Sequence, residues 1–151
     1  MKEVRYIDVS ELSGAFGIIS PEYDIVYAGT TVNAMPDSLN NAEYERFEKE
    51  HRIRFIFESN VPKIDFFACP WVEIFAADDD GSLFGIVGGH EGKVCYISCE
   101  REVFIAAENM ADFISEKKRA LVKADDITLF CDRTDAEKSI EFLELPEFCR
   151  R

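Results

Sequence analysis

Apolar and charged positions alternate loosely from Val4 to Val9, Ile18 and Ile19 follow Gly14 and Gly17, and Ile25–Tyr27 lie between Pro21 and Gly29. This pattern predicts short strands joined by turns. From Asp37 to Ile53 the period changes. Leu39, Ala42, Phe47 and Ile53 fall near one helical face, with Glu43, Glu45, Arg46, Glu48, Lys49 and Glu50 mostly on the other. An amphipathic helix capped by Asp37 or Ser38 is expected. A strand over Arg54–Glu58 follows, and Asn60, Pro62 and Lys63 break it before the apolar run Ile64–Ala77, itself interrupted by Pro70. Trp71–Ala77 is short and rich in aromatic and β-branched residues, so it reads as a strand. The polar run Asp78–Ser82 then turns the chain into Leu83–Val87, as in a hairpin. Gly88–Gly92 makes the next turn, before strands Lys93–Ser98 and Val103–Ala107. Each strand is one short connection from the next, which predicts an antiparallel meander over residues 64–107.

A second helix is expected from Asn109, with Met110, Phe113 and Ile114 on one side, Lys117, Lys118 and Arg119 closing it, and Leu121 extending it. Ile127–Cys131 reads as another strand. Asp135 is placed to cap a last helix, Ala136–Leu145, that stops before Pro146. The expected class is α+β: one antiparallel or mixed sheet packed by helices. With 151 residues and no internal repeat or linker, a single domain over 1–151 is expected.

Charge narrows the classes of partner. Thirty acidic residues against seventeen basic ones leave a formal net charge of −13. Such a chain repels the phosphate backbone that dominates nucleic-acid affinity, and anionic lipid surfaces as well. A basic protein is attracted instead. The five cysteines are an odd number, and three lie in apolar runs where a reduced thiol behaves as a small hydrophobe. A reducing, cytoplasmic setting is expected. Met1–Leu12 lacks the basic start and apolar run of a signal peptide, and no stretch approaches the roughly 20 apolar residues that cross a bilayer.

Candidate chemistry is sparse. Asp78, Asp79 and Asp80 supply charge for a hard cation, but neighbouring side chains diverge and the alternating ligands of a calcium loop are missing, so a solvated turn is the better reading. Cys95 and Cys99 lie four apart with His90 upstream, yet no second ligand pair completes a zinc site, and buried structural thiols are expected. His51 and His90 are the two histidines, and no serine or cysteine stands in a nucleophile-elbow pattern. Gly88 and Gly89 form no phosphate-cradling motif. Trp71, beside Phe66, Phe67, Val72 and Phe75, reads as core. No catalytic residue, metal or cofactor is expected.

The stretch Ile64–Phe113 resembles the SUKH superfamily, bacterial immunity proteins together with fungal cell-wall regulators. The resemblance lies in an apolar strand ending at Phe75-Ala76, the acidic turn with Asp80-Gly81-Ser82, and Leu83-Phe84-Gly85-Ile86. Gly92-Lys93-Val94 then opens a strand carrying Tyr96-Ile97, and a helix with Phe113-Ile114 follows. The stretch is about a third of the chain. The Leu-Pro pair and Asn-Gly turn with which members usually open are missing before Arg54. The resemblance implies an α+β fold, no catalytic residues to carry over, and the binding and neutralisation of a toxin domain, many of which are basic-clefted nucleases. On this reading the partner is a protein. Its contact face draws on acidic residues: Asp78, Asp79 and Asp80 at the hairpin tip, and Glu91 in the next turn. Two rivals remain: a regulatory or scaffold protein of the same fold, and a small metal-dependent hydrolase using the aspartate turn with His90 and Glu91.

Overall fold

The computed structural model describes residues 3–11, 22–39, 41–88, 92–115 and 121–143, with the backbone alone at His51. The fold is α+β. Strands β1 (Glu3–Asp8) and β2 (Tyr23–Ala28) form a parallel ladder, and β3 (Thr30–Val32) follows. Helix α1 (Ala42–His51) leads to β4 (Arg54–Phe55), β5 (Phe67–Cys69) and β6 (Val72–Ala77), with a cis peptide at Cys69–Pro70 between the last two. Then come β7 (Leu83–Val87), β8 (Val94–Ile97), β9 (Val103–Ala107), α2 (Met110–Ser115), β10 (Val122–Lys123), β11 (Thr128–Phe130) and α3 (Arg133–Glu137).

The main sheet has seven strands in the order β10-β9-β8-β7-β6-β3, and β4 also pairs with β6. From β6 to β9 it is the expected antiparallel meander. β6 is bordered on its far side by two strands in succession: β3 runs parallel to Val72–Ile74, and β4 runs antiparallel to Ala76–Ala77. β5 leaves the sheet to pair with β11.

Both faces of the sheet are buried, which explains why its strands read as apolar runs. Val72, Ile74, Leu83, Cys95, Ile97 and Val103 face one core with Ile56, Phe66, Ala124 and Ile127. Phe75, Ala76, Phe84, Ile86, Val94 and Ala106 face a second core, closed by Phe47 and Ile53 at α1 and by Met110 and Phe113 of α2. Strict alternation would put Phe75 and Ala76 on opposite faces. The β6–β7 register shifts between Ile74 and Ala76, so Phe75 is an extra residue and shares the helix-covered face with Ala76. A second shift, opposite Val94 and Cys95, does the same for Ala106 and Ala107.

Gly85 marks the closest approach inside the sheet. A Cβ there would overlap Val72 Cγ1 and come within 3.1 Å of the Glu73 carbonyl oxygen and Ile74 Cδ1. We expect Gly85→Ala to destabilise the protein by about 1–3 kcal/mol, as overpacked cores do. Urea unfolding of the pair would show it. A gain in stability would mean that β6 and β7 can separate freely at this point.

Several local expectations are corrected. The α1 cap is Asn41, whose side chain accepts from the Glu43 and Tyr44 amides; Asp37 and Ser38 belong to a separate 3-10 turn, Asp37–Leu39. Leu39 and Ala42 are exposed, and the helix packs through Tyr44 and Phe47. It ends at Arg52, whose left-handed φ of 56° closes the helix with an N–H bond to the Glu48 carbonyl. The strand expected over Arg54–Glu58 stops at Phe55, and Leu121 precedes the edge strand β10 rather than extending a helix. The last helix starts earlier because Asp132 is its cap, accepting from the Asp135 amide. Past its end, Phe142 bridges to Tyr6, which draws the chain into line with β1. The strand expected at Ile18–Ile19, the closing residues Lys117–Arg119, and Leu145 lie outside the described residues.

Candidate functional site

Two short helices on a wide sheet leave a gap. α1 leans on β4 and α2 on β9, strands at opposite sides of β6, β7 and β8. Phe113 of α2 reaches back over β7 and β6 to touch Phe84 and Phe75, so the sheet between the helices is buried and a groove is left between α1 and α2.

The resulting groove has a volume of about 300 Å³. Tyr44 and Phe47 of α1, with Phe55 of β4, form one wall; Met110, Phe113 and Ile114 of α2 form the other, and Phe75 lies between them. The first wall is held by ring contacts, Tyr44 edge-on to Phe55 at 5.4 Å and Phe47 tilted on Phe55 at 5.3 Å. The second rests on Phe113, edge-on to Phe75 at 5.8 Å and 5.6 Å from Phe84. Such pairs add about 0.5–1.5 kcal/mol each to the gain from burial, so both walls are stiff. Ile114 is 49% exposed at the lip. Glu43 is the one charged residue among the described residues that line the groove.

The aspartate turn is a hairpin tip, as expected, but its surroundings are not acidic alone. The Asp78 amide donates to the Ser82 carbonyl at 2.8 Å, closing the turn. Asp79 pairs with Arg54. Asp80 accepts the Ser82 amide at 2.9 Å, and hydrogen bonding to Ser82 holds its carboxyl below the usual range. The clefts on either side of the tip also carry Lys49, Arg52, Lys63 and Arg101. This makes the tip a mixed-charge surface. Glu91 and His90 lie outside the described residues, and of His51 the side chain does.

Ser82, which reads as one more polar residue of the turn, has a structural role. It is fully buried, and its Oγ accepts from the Tyr96 hydroxyl at 2.9 Å and the Cys99 amide at 3.1 Å. This ties the hairpin tip to the β8–β9 turn. The buried polar group is thereby satisfied.

The expectation of buried structural thiols holds for Cys95 and is corrected for Cys99. Cys95 is buried in β8, and burial pushes its thiol up to about 12, whereas Cys99 lies exposed beyond the strand end. Cys69, Cys95, Cys99 and Cys131 are all free, and Cys149 is outside the described residues. Brief alkylation near pH 8 should label Cys99 and Cys131 in the native protein, with Cys95 labelled after denaturation alone, because the thiolate is the nucleophile. Peptide mass mapping checks this. Rapid native labelling of Cys95 would show that β8 opens. Among the described residues no group of three or more His, Cys, Asp or Glu is placed to hold a metal ion. No helix among them is long and apolar enough to cross a membrane.

No family model, curated protein or solved structure matches the chain. The site therefore rests on its own geometry. Of its residues, Phe47, Met110, Phe113 and Ile114 were legible as helix faces, while Tyr44, Phe55 and Phe75 were not.

Proposed function

We propose that this chain is a protein-binding module of immunity type, which binds and neutralises a basic toxin domain in the cytoplasm. The groove between α1 and α2 carries the reading. It is apolar, aromatic-walled and open, and a recess of that kind is where interface anchors find fully desolvated contact. The net charge of −13 favours a basic partner and speeds its approach. The stretch that resembles the SUKH superfamily supplies Phe75, Met110 and Phe113 to the groove. Free thiols at all four described cysteines fit a reducing compartment.

The test is to read the neighbouring genes for a toxin domain and to co-express it with this chain; a neighbourhood without one counts against the reading. Cells that the toxin alone arrests should grow when the chain is present, and the purified pair should bind more slowly as salt rises. Continued arrest at full expression of a folded chain would sink the immunity reading.

A further inference from the structure

We infer that the clefts beside the Asp78–Ser82 hairpin tip dock a short acidic segment of a protein partner, with Arg52 as its main contact. Two backbone outliers point there. Among the described residues, Arg52 and Arg101 are the non-glycine residues with a positive φ, 56° and 64°. Side chains of L-residues are strained in this region and glycine is not, so each position favours glycine. Both are arginines instead, and they line the two clefts that share the Arg54–Asp79 pair.

Arg101 offsets its strain inside the fold. Its guanidinium binds Asp65 at 3.0 and 3.4 Å and lies 5.1 Å from the centre of the Phe66 ring. Arg52 does not. It closes α1 in the left-handed conformation, where glycine is the usual residue. Its side chain is exposed and makes no ion pair or hydrogen bond among the described residues. A strained residue whose side chain serves no contact within the fold points to a contact outside it.

Charge gives the sign of that contact. The chain has thirty acidic residues against seventeen basic ones, yet the two clefts hold five basic residues, Lys49, Arg52, Arg54, Lys63 and Arg101, against four carboxylates. Asp79 holds Arg54 and Asp65 holds Arg101. Lys49 and Lys63, like Arg52, are exposed and have no ion pair among the described residues. These three cations are open to carboxylates from outside, and the arginine can take one bidentately. The clefts, of about 510 and 370 Å³, meet at Arg54 and form a track past the tip. A nucleic acid or an anionic membrane would extend beyond that track and meet the net charge of −13. A short acidic segment would not. Net-basic proteins carry such segments too, so this inference stands apart from the toxin reading.

The probe is a short Gly/Glu peptide carrying two Glu-Glu pairs, titrated at low salt into nitrogen-15-labelled protein. The side-chain Nε–H signals of Arg52 and Arg54 should move, while those of Arg5 in β1 and Arg133 in α3 should not. Binding should weaken as salt rises, and the Gly/Gln analogue should not bind. Arg52→Gly should raise the melting temperature by about 2–4 °C, because the strain is relieved. The same change should weaken the peptide about two- to fivefold, the loss of an exposed ion pair. Arg52→Lys should keep most of the affinity. A merely structural arginine could not give a more stable protein that binds less. Adding Lys49→Gln and Lys63→Gln to Arg52→Gly should weaken binding about tenfold or more.

Still Arg52 and Arg54 signals, equal binding of the Gly/Gln analogue, or a lowered melting temperature of Arg52→Gly would each overturn the assignment. So would tighter binding of inorganic phosphate, a DNA oligonucleotide or anionic lipid vesicles at the same residues. Rescue from a toxin in cells can succeed or fail without changing any of these readouts.

Discussion

Replacing Phe84 with alanine should lower stability by about 3–5 kcal/mol, the largest effect expected of any single truncation in this fold. Phe84 is fully buried at the centre of the meander. Its ring lies 5.2 Å from Tyr96 and 5.6 Å from Phe113, so it joins β7 to β8 and to α2. Removing it forfeits the transfer free energy of a benzyl group and opens a cavity that two short helices and a bulged sheet cannot close. For a chain of this size the melting temperature should fall by on the order of 10 °C. Denaturant titration reads the change directly, and an unchanged slope would show that the fold itself is kept. Because Phe113 rests on Phe84, the groove wall should loosen as well, and the Met110 methyl signal should shift. A loss below 1 kcal/mol would mean that α2 settles into the space.

Arg133→Ala should follow closely, at about 3 kcal/mol, the lower end of the range for breaking a buried ion pair. Arg133 Nη1 donates to Asp8 at 2.8 Å and to Glu11, and its guanidinium lies 3.7 Å above the Phe142 ring. Its Nε is 3.1 Å from Glu137 without the alignment of a hydrogen bond. Desolvation opposes the charge, but hydrogen bonds to Asp8 and Glu11 outweigh it and raise the pKa of the group. The Asp8 side chain is only 7% exposed, so truncating Arg133 leaves a buried carboxylate held, among the described residues, by the Ser10 amide and hydroxyl. Asp8→Ala in the same background should restore part of the loss. A double-mutant cycle gives the coupling. Strict additivity would show that Arg133 acts through its stacking on Phe142 and not through the ion pair. The low end of the range is expected because Arg133 keeps partial contact with water.

The meander was legible because its determinants are local. Asp78–Ser82 is a turn by composition, and Leu83–Val87, Val94–Ile97 and Val103–Ala107 are apolar or β-branched runs of strand length. Sequence neighbours pair across short connections, so knowing the strands was nearly knowing their order. Charge and cysteine count were equally direct, since they are sums. Helix ends were less so: Asn41 and Asp132 won the capping positions over Asp37, Ser38 and Asp135 because the cap depends on which backbone amides the following turn leaves free.

Tertiary structure alone decided the rest. The parallel pairings of β1 with β2 and β3 with β6, and the antiparallel pairing of β5 with β11, join segments with no tight turn between them, so no local signal could announce them. The extra residue at Phe75 leaves no mark in an all-apolar run; it is visible once Glu73 is seen to pair with Ile86 and Ala76 with Phe84. The groove is of the same kind. Tyr44, Phe55, Phe75 and Phe113 would each have served as ordinary core, and the sequence carries no distinction between an aromatic that is covered and one that lines an opening. That distinction arises because α1 packs on β4 and α2 on β9, with β6, β7 and β8 between them, an arrangement that belongs to the assembled sheet rather than to any segment in it.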